Sequence, residues 1–114
     1  MKDFLEDARR ASFYLGLYEE YMKYTLKLIK IYKEVADDLT GYHRSLGVQY
    51  HQLAVNYLML PIGLPLAVRF TEAQKYLEKA VKILPITHGD DHPLMKDVRT
   101  HLDHCALYKK QQNT

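Results

Sequence analysis

The chain has 114 residues, 47% hydrophobic and 26% charged, which is enough for one domain with a modest core. Its formal net charge of +2 is too small to argue for nucleic acid or an anionic membrane as a partner, and a single cysteine, Cys105, excludes an internal disulfide. The opening residues MKDFLEDARR lack the apolar stretch of a secretory leader, and the longest apolar run, YLMLPIGLPLAV, is proline-broken and too short to span a bilayer. A soluble cytoplasmic or nuclear module is therefore expected.

Helical periodicity dominates, and no segment alternates like a strand. A first helix is expected at about 3–16, with Phe4, Leu5, Ala8, Ala11, Ser12 and Leu15 on its inner face and Gly16 at its end. The second, about 18–38, repeats Tyr18, Tyr21, Thr25, Leu28, Tyr32 and Val35 at steps of three and four. A second line of Met22, Leu26, Ile29 and Ala36 widens its stripe, which implies more than one helical neighbour. Gly41 marks a break. The third helix, about 42–60, carries Leu46, Tyr50, Leu53, Ala54, Tyr57 and Leu58, and Pro61, Gly63 and Pro65 end it. Residues 61–70 read as a loop insertion. Thr71 with Gln74 three residues on resembles a capping box and places the fourth helix at about 71–87, with Ala73, Tyr76, Leu77, Ala80, Val81 and Leu84 inward. The fifth, about 92–109, turns Leu94, Val98, Leu102 and Cys105 inward, and the tail KKQQNT is expected to fray. The fold class that follows is all-α, an antiparallel helix-pair array of about five helices in one domain.

The spacing of Ala73, Leu77, Ala80 and Pro85 resembles the second helix of a tetratricopeptide repeat, and Leu53, Ala54 and Tyr57 resemble its first. Small residues there allow paired helices to approach closely, and large ones fill the gaps between them. The segment YLEKAVKILPITHGDDHPLMKDVRTHLDHC resembles the end of the C-terminal helical domain of the SMYD lysine methyltransferases. In that family an Ala-x-x-Ile helix runs into Thr/Ala-His-Gly-x-x-His-Pro and a final helix. The upstream order, YLGLYEEYMKYTLKLIKIY then LGVQYHQLAVNYLML, fits the same domain. Kinesin light chains share the GxxHP element. The resemblance implies a helical domain that faces a catalytic SET cleft in a parent protein-lysine methyltransferase, which would use S-adenosylmethionine and carry zinc in its MYND finger. One cysteine cannot build that finger, and no glycine-rich or Asn-His feature of a methyl-donor site is present. The resemblance thus implies the helical portion alone, with no catalytic residue and no cofactor held by this chain.

The stretch THGDDHPL, residues 87–94, raises the possibility of a metal site formed by His88 and His92 with His101, His104 and Cys105. Turn chemistry accounts for the same residues: Gly89 in the left-handed region closes the fourth helix, His88 meets its last carbonyls, and Asp91 or His92 caps the fifth, with Pro93 in its first turn. That reading is preferred. A Cys–His nucleophile at Cys105 lacks an oxyanion hole and an orienting third group. Of the ten tyrosines, Tyr18, Tyr21, Tyr32, Tyr50, Tyr57 and Tyr76 fall on apolar stripes and are expected in the core, whereas Tyr14, Tyr24 and Tyr42 are better placed for exposed contacts.

In stacked helix pairs the first helix of each pair lines a concave surface suited to a peptide. Here that surface would present Arg9, Arg44, Gln49, Asn56, Lys96 and Arg99, loosely resembling the carboxylate clamp of chaperone-binding tetratricopeptide domains. The expected function is non-catalytic: holding a protein or peptide partner, a chaperone C-terminal peptide among the candidates, or packing against a SET domain in cis. The alternatives are a self-associating helical scaffold and a small metal-binding helical protein.

Overall fold

The computed structural model describes residues 2–36 and 40–112. Among them lie five helices and no strand: α1 (Lys2–Tyr14), α2 (Tyr18–Glu34), α3 (Leu46–Met59), α4 (Leu66–Thr87) and α5 (Pro93–Gln112). Each packs antiparallel on the next. Phe13 meets Tyr21 while Glu6 meets Tyr32 across α1 and α2, and Phe70 stacks on Tyr108 at 4.1 Å across α4 and α5. The central helix is α3, whose backbone approaches those of α2, α4 and α5, whereas the α1 backbone approaches only α2, reaching α3 through the Arg9 side chain, and the backbones of α2 and α4 stay more than 8 Å apart.

The core follows the stripes. Leu28, Leu53, Leu77, Leu84, Met95, Val98, Thr25 and Cys105 are fully buried, together with the small residues Ala54, Ala73 and Ala80. Small residues bring α3 and α4 together most closely at Gly47, where a β-carbon would sit 2.9 Å from Leu84 Cγ. The inner face of α1 is narrower than its periodicity suggests. Leu5 and Ser12 are buried, but Phe4, Ala11 and Leu15 face out, because one helical neighbour covers only one stripe.

Left-handed glycines stand in three of the turns: Gly16, Gly41 (φ 79°) and Gly89. Gly16 (φ 76°) closes α1, with its N–H donating to Phe13 and that of Leu17 to Ser12 at 2.8 Å, the paired bonds of a Schellman motif. Gly89 (φ 90°) closes α4 by donating to Pro85 at 3.1 Å. Pro85 falls in the last turn, where its missing N–H removes only the bond to the Val81 carbonyl, and the bonds beyond it continue, with the His88 N–H donating to Leu84 at 2.7 Å. The following turn starts α5 with His92, whose Nδ1 accepts the Leu94 N–H at 3.1 Å. His88 meets the last carbonyls of α4 as expected, through its backbone N–H, while its ring bonds the Thr87 hydroxyl.

Several boundaries differ from the expectation. The helix placed at 18–38 ends at Glu34: Val35 is extended at the C-cap, Ala36 is non-helical, and 37–38 lie outside the described residues. The helix placed at 42–60 begins at Leu46, since Thr40 and His43 turn the preceding chain by bonding the N–H groups of Tyr42 and Ser45. The insertion at 61–70 is shorter than expected, because α4 begins at Leu66 behind an extended Pro65. Thr71 is therefore no cap; its hydroxyl bonds back to the Ala67 carbonyl inside the helix. The tail expected to fray continues α5 to Gln112, and 113–114 lie outside the described residues.

Candidate functional site

One recess lies where α1, α2 and α3 meet. On α1, Glu6, Arg9, Arg10 and Phe13 share a face by helical spacing. With Tyr14, Tyr21 from α2 and Gln52 from α3, they line an open cavity of about 370 Å³. Arg9 is held at both ends of its reach: its guanidinium donates to Gln49 Oε1 and lies 5.8 Å from the Tyr21 ring centroid. These contacts restrain the guanidinium beside the cavity and leave further N–H donors for a carboxylate. Glu6, the cavity's acid, accepts the Tyr32 hydroxyl at 2.9 Å. Burial, and then Glu6, raise the Tyr32 pKa above the ordinary phenol value, so the hydroxyl stays a donor. Arg10 is exposed and makes only a 3.8 Å surface pair with Asp7, an arrangement of little energetic worth. Two guanidiniums thus face a cavity whose own carboxylate is engaged elsewhere.

Of the six groove residues expected from the sequence, Arg9 and Gln49 are brought together and the others are not. Asn56 is 3% exposed and cannot line an open groove, because α3 is enclosed by three neighbours. Its Oδ1 accepts from Gln52 at 3.2 Å and its Nδ2 has no hydrogen-bond partner among the described residues. Arg44 is exposed on the turn before α3 and bears on His88, whose pKa is lowered by burial, Arg44 and His92 in that order. Lys96 and Arg99 are exposed on α5, away from this cavity. The sequence reading missed Gln52, one turn beyond Gln49, and the aromatic wall of Phe13 and Tyr21. The three-residue step from Gln49 to Gln52 was a usable signal.

Five of the six histidines fall into two groups, and His43 stacks on Tyr32 instead. His88 and His92 meet edge to face at 4.9 Å across the turn between α4 and α5. His101 pairs with His51 of α3 at 5.6 Å, a partner absent from the sequence reading, and lies 6.1 Å from His104. Among the described residues no three of His, Cys, Asp and Glu are placed to share a metal ion. Cys105 is buried, and burial followed by Glu78 pushes its thiol pKa up, opposite to the shift a nucleophile or a thiolate ligand needs.

The tyrosines sort largely as their spacing predicts. Tyr21, Tyr32, Tyr50 and Tyr76 are buried, Tyr18 and Tyr57 half-buried, and Tyr14 and Tyr42 exposed, whereas Tyr24 is half-buried against the core. Among the described residues no helix is long and apolar enough to cross a membrane.

No family model matches the chain, and no solved structure matches it. A curated protein of the mouse, Mus musculus, histone-lysine N-methyltransferase SMYD3, is 32% identical over 101 residues, covering 89% of this chain. The aligned part is 21% of that protein, so the chain spans about a fifth of the relative it matches.

Proposed function

We propose that the chain is a non-catalytic helical recognition module of tetratricopeptide type. It corresponds to the C-terminal helical part of a SMYD-like protein-lysine methyltransferase, and its cavity between α1 and α3 receives the carboxylate end of a partner polypeptide. The similarity to the mouse methyltransferase along most of this chain supports the first half of the reading. The observation that carries the second is the restrained Arg9, braced by Gln49 and Tyr21 with Arg10 alongside. Such a group offers N–H donors to a carboxylate at a reduced cost in side-chain ordering. A chaperone C-terminal peptide is an occupant of this kind; a SET domain in cis would instead offer a side-chain carboxylate. S-adenosylmethionine and zinc belong, on this reading, to other parts of a longer protein.

The test is a titration of the isotope-labelled chain with an acidic peptide ending in a free carboxylate, beside the same peptide amidated. Amide shifts are expected at Arg9, Arg10, Gln49 and Gln52, with roughly tenfold weaker binding of the amidated peptide and a comparable loss in Arg9→Met. Equal affinity for the two peptides would overturn the carboxylate assignment.

A further inference from the structure

The gap between α2 and α4 is a second recess, independent of the cavity above. The backbones of these two helices stay more than 8 Å apart, and side chains of both, with Tyr50 of α3 between them, line a valley. Tyr50 and Tyr57 of α3 each stack at 6.0 Å on Tyr76 of α4. Toward the start of α2 the connection after α3 replaces α4 as the facing wall, and the lining is largely apolar: Met22, Leu26, Tyr57, Ile62 and Leu64 border about 210 Å³. Leu26 is shared with the next compartment, about 370 Å³, where Ile29 gives way to Lys30, Lys33 and Lys79.

The two ends differ in charge. At the apolar end Lys23 pairs with Glu20 at 3.6 Å, and Glu19 adds a carboxylate. At the other end Lys30, Lys33 and Lys79 form no ion pair among the described residues and face a single carboxylate, Glu34. Lys79 lies over both rings, 5.4 Å from the Tyr50 centroid and 5.7 Å from that of Tyr76. This placement argues against a nucleobase as the occupant. The tyrosine faces are already taken by each other and by the lysine, leaving no open ring for a base to stack on. A carboxylate meets no such obstacle and gains an ammonium held in place.

We propose that this valley docks an acidic segment of a partner protein in extended form, its apolar residues against Leu26, Ile62 and Leu64 and its carboxylates at Lys30, Lys33 and Lys79. The path along α2 from Glu19 to Lys33 is roughly 20 Å at the helical rise. An extended chain covers that in about six residues, two or three apolar followed by two or three acidic. This assignment does not rest on the carboxylate cavity: Tyr50 lies about 200° around α3 from Gln52, so the two recesses use different sides of that helix.

The experiment is fluorescence anisotropy of the full chain with a labelled peptide of roughly seven residues, leucines followed by glutamates. A shuffled peptide of the same composition and a short oligouridine serve as comparison probes. The ordered peptide is expected to bind most tightly and to weaken roughly tenfold in the Lys30→Glu, Lys33→Glu double variant, and also as salt is raised. Lys30 and Lys33 are exposed, so circular dichroism should show the helical content of the parent; Lys30→Ala, Lys33→Ala gives a milder second reading. Arg9→Met should leave this binding unchanged. Equal binding of the shuffled peptide, indifference to both lysine variants, or preferential binding of the oligouridine would each overturn the proposal.

Discussion

His51 and His101 show how a sequence-level ambiguity resolves at the level of single atoms. His51 Nε2 and His101 Nδ1 are both shielded from solvent without a hydrogen-bond partner among the described residues, and the rings face each other between α3 and α5. Burial is the main influence lowering the His51 pKa below the ordinary 6.5, with His101 adding to it and Asp97 opposing it. The native state therefore resists protonating His51, whereas the unfolded chain takes up that proton at the ordinary histidine value. Stability is complete above about pH 6.5 and is lost as pH falls below it toward the depressed native value. Thermal melts should show a lower midpoint at about pH 5 than at about pH 7.5, with a shallower dependence in His51→Phe. A variant keeping the full slope would assign it to other groups. Nothing in VQYHQLAV signals this pair, because the partner ring comes from a helix fifty residues away that only tertiary packing brings near. The burial of Cys105, by contrast, was legible from its place on the α5 stripe.

At the scale of elements, the five helices were legible from apolar spacing and their ends were less so. The start of α4 shows why. Leu66 and Val68 occupy helical positions but are exposed, so no buried stripe announced the first turn, and the Thr71–Gln74 pattern offered a false start within the helix. What holds that first turn is Arg69. Its Nε donates to the Tyr57 carbonyl at 2.8 Å, and its Nη2 donates to those of Leu58 and Leu60 at 3.2 and 2.8 Å. One guanidinium thus satisfies carbonyls left over at the end of α3 and pins the intervening residues. Replacing it with methionine should cost roughly 2 kcal/mol in urea unfolding and speed amide exchange around the start of α4. Lysine should not restore the loss, since a single ammonium cannot reproduce the planar fork. An unchanged unfolding midpoint would show that water serves those carbonyls equally well.

For the whole molecule, the order of helices in an antiparallel array follows from short connections, and that order was legible. That the six expected groove residues do not converge was not. Which side of α3 stays open depends on α2, α4 and α5 closing around it, and that enclosure buries Asn56 while the neighbouring turn carries Arg44 elsewhere. The valley between α2 and α4 was equally hidden. It arises because the backbones of two helices stay apart, and no residue pattern records a missing contact.

The single seam along α1 has its own consequence. Beyond apolar packing on α2, this helix is tied to the rest through Glu6 with Tyr32 and Arg9 with Gln49, whereas α3 is gripped from three directions. Unravelling under mild denaturant should therefore begin at this end, with α1 amides exchanging before those of α3 and α4 in mass spectrometry. Peeling α1 away removes Arg9, Arg10 and Phe13 and dismantles the carboxylate cavity, yet leaves α2, α3 and α4 seated. One recess would then fail at a denaturant concentration the other survives, so the chain's grip on two kinds of partner would separate along a urea gradient.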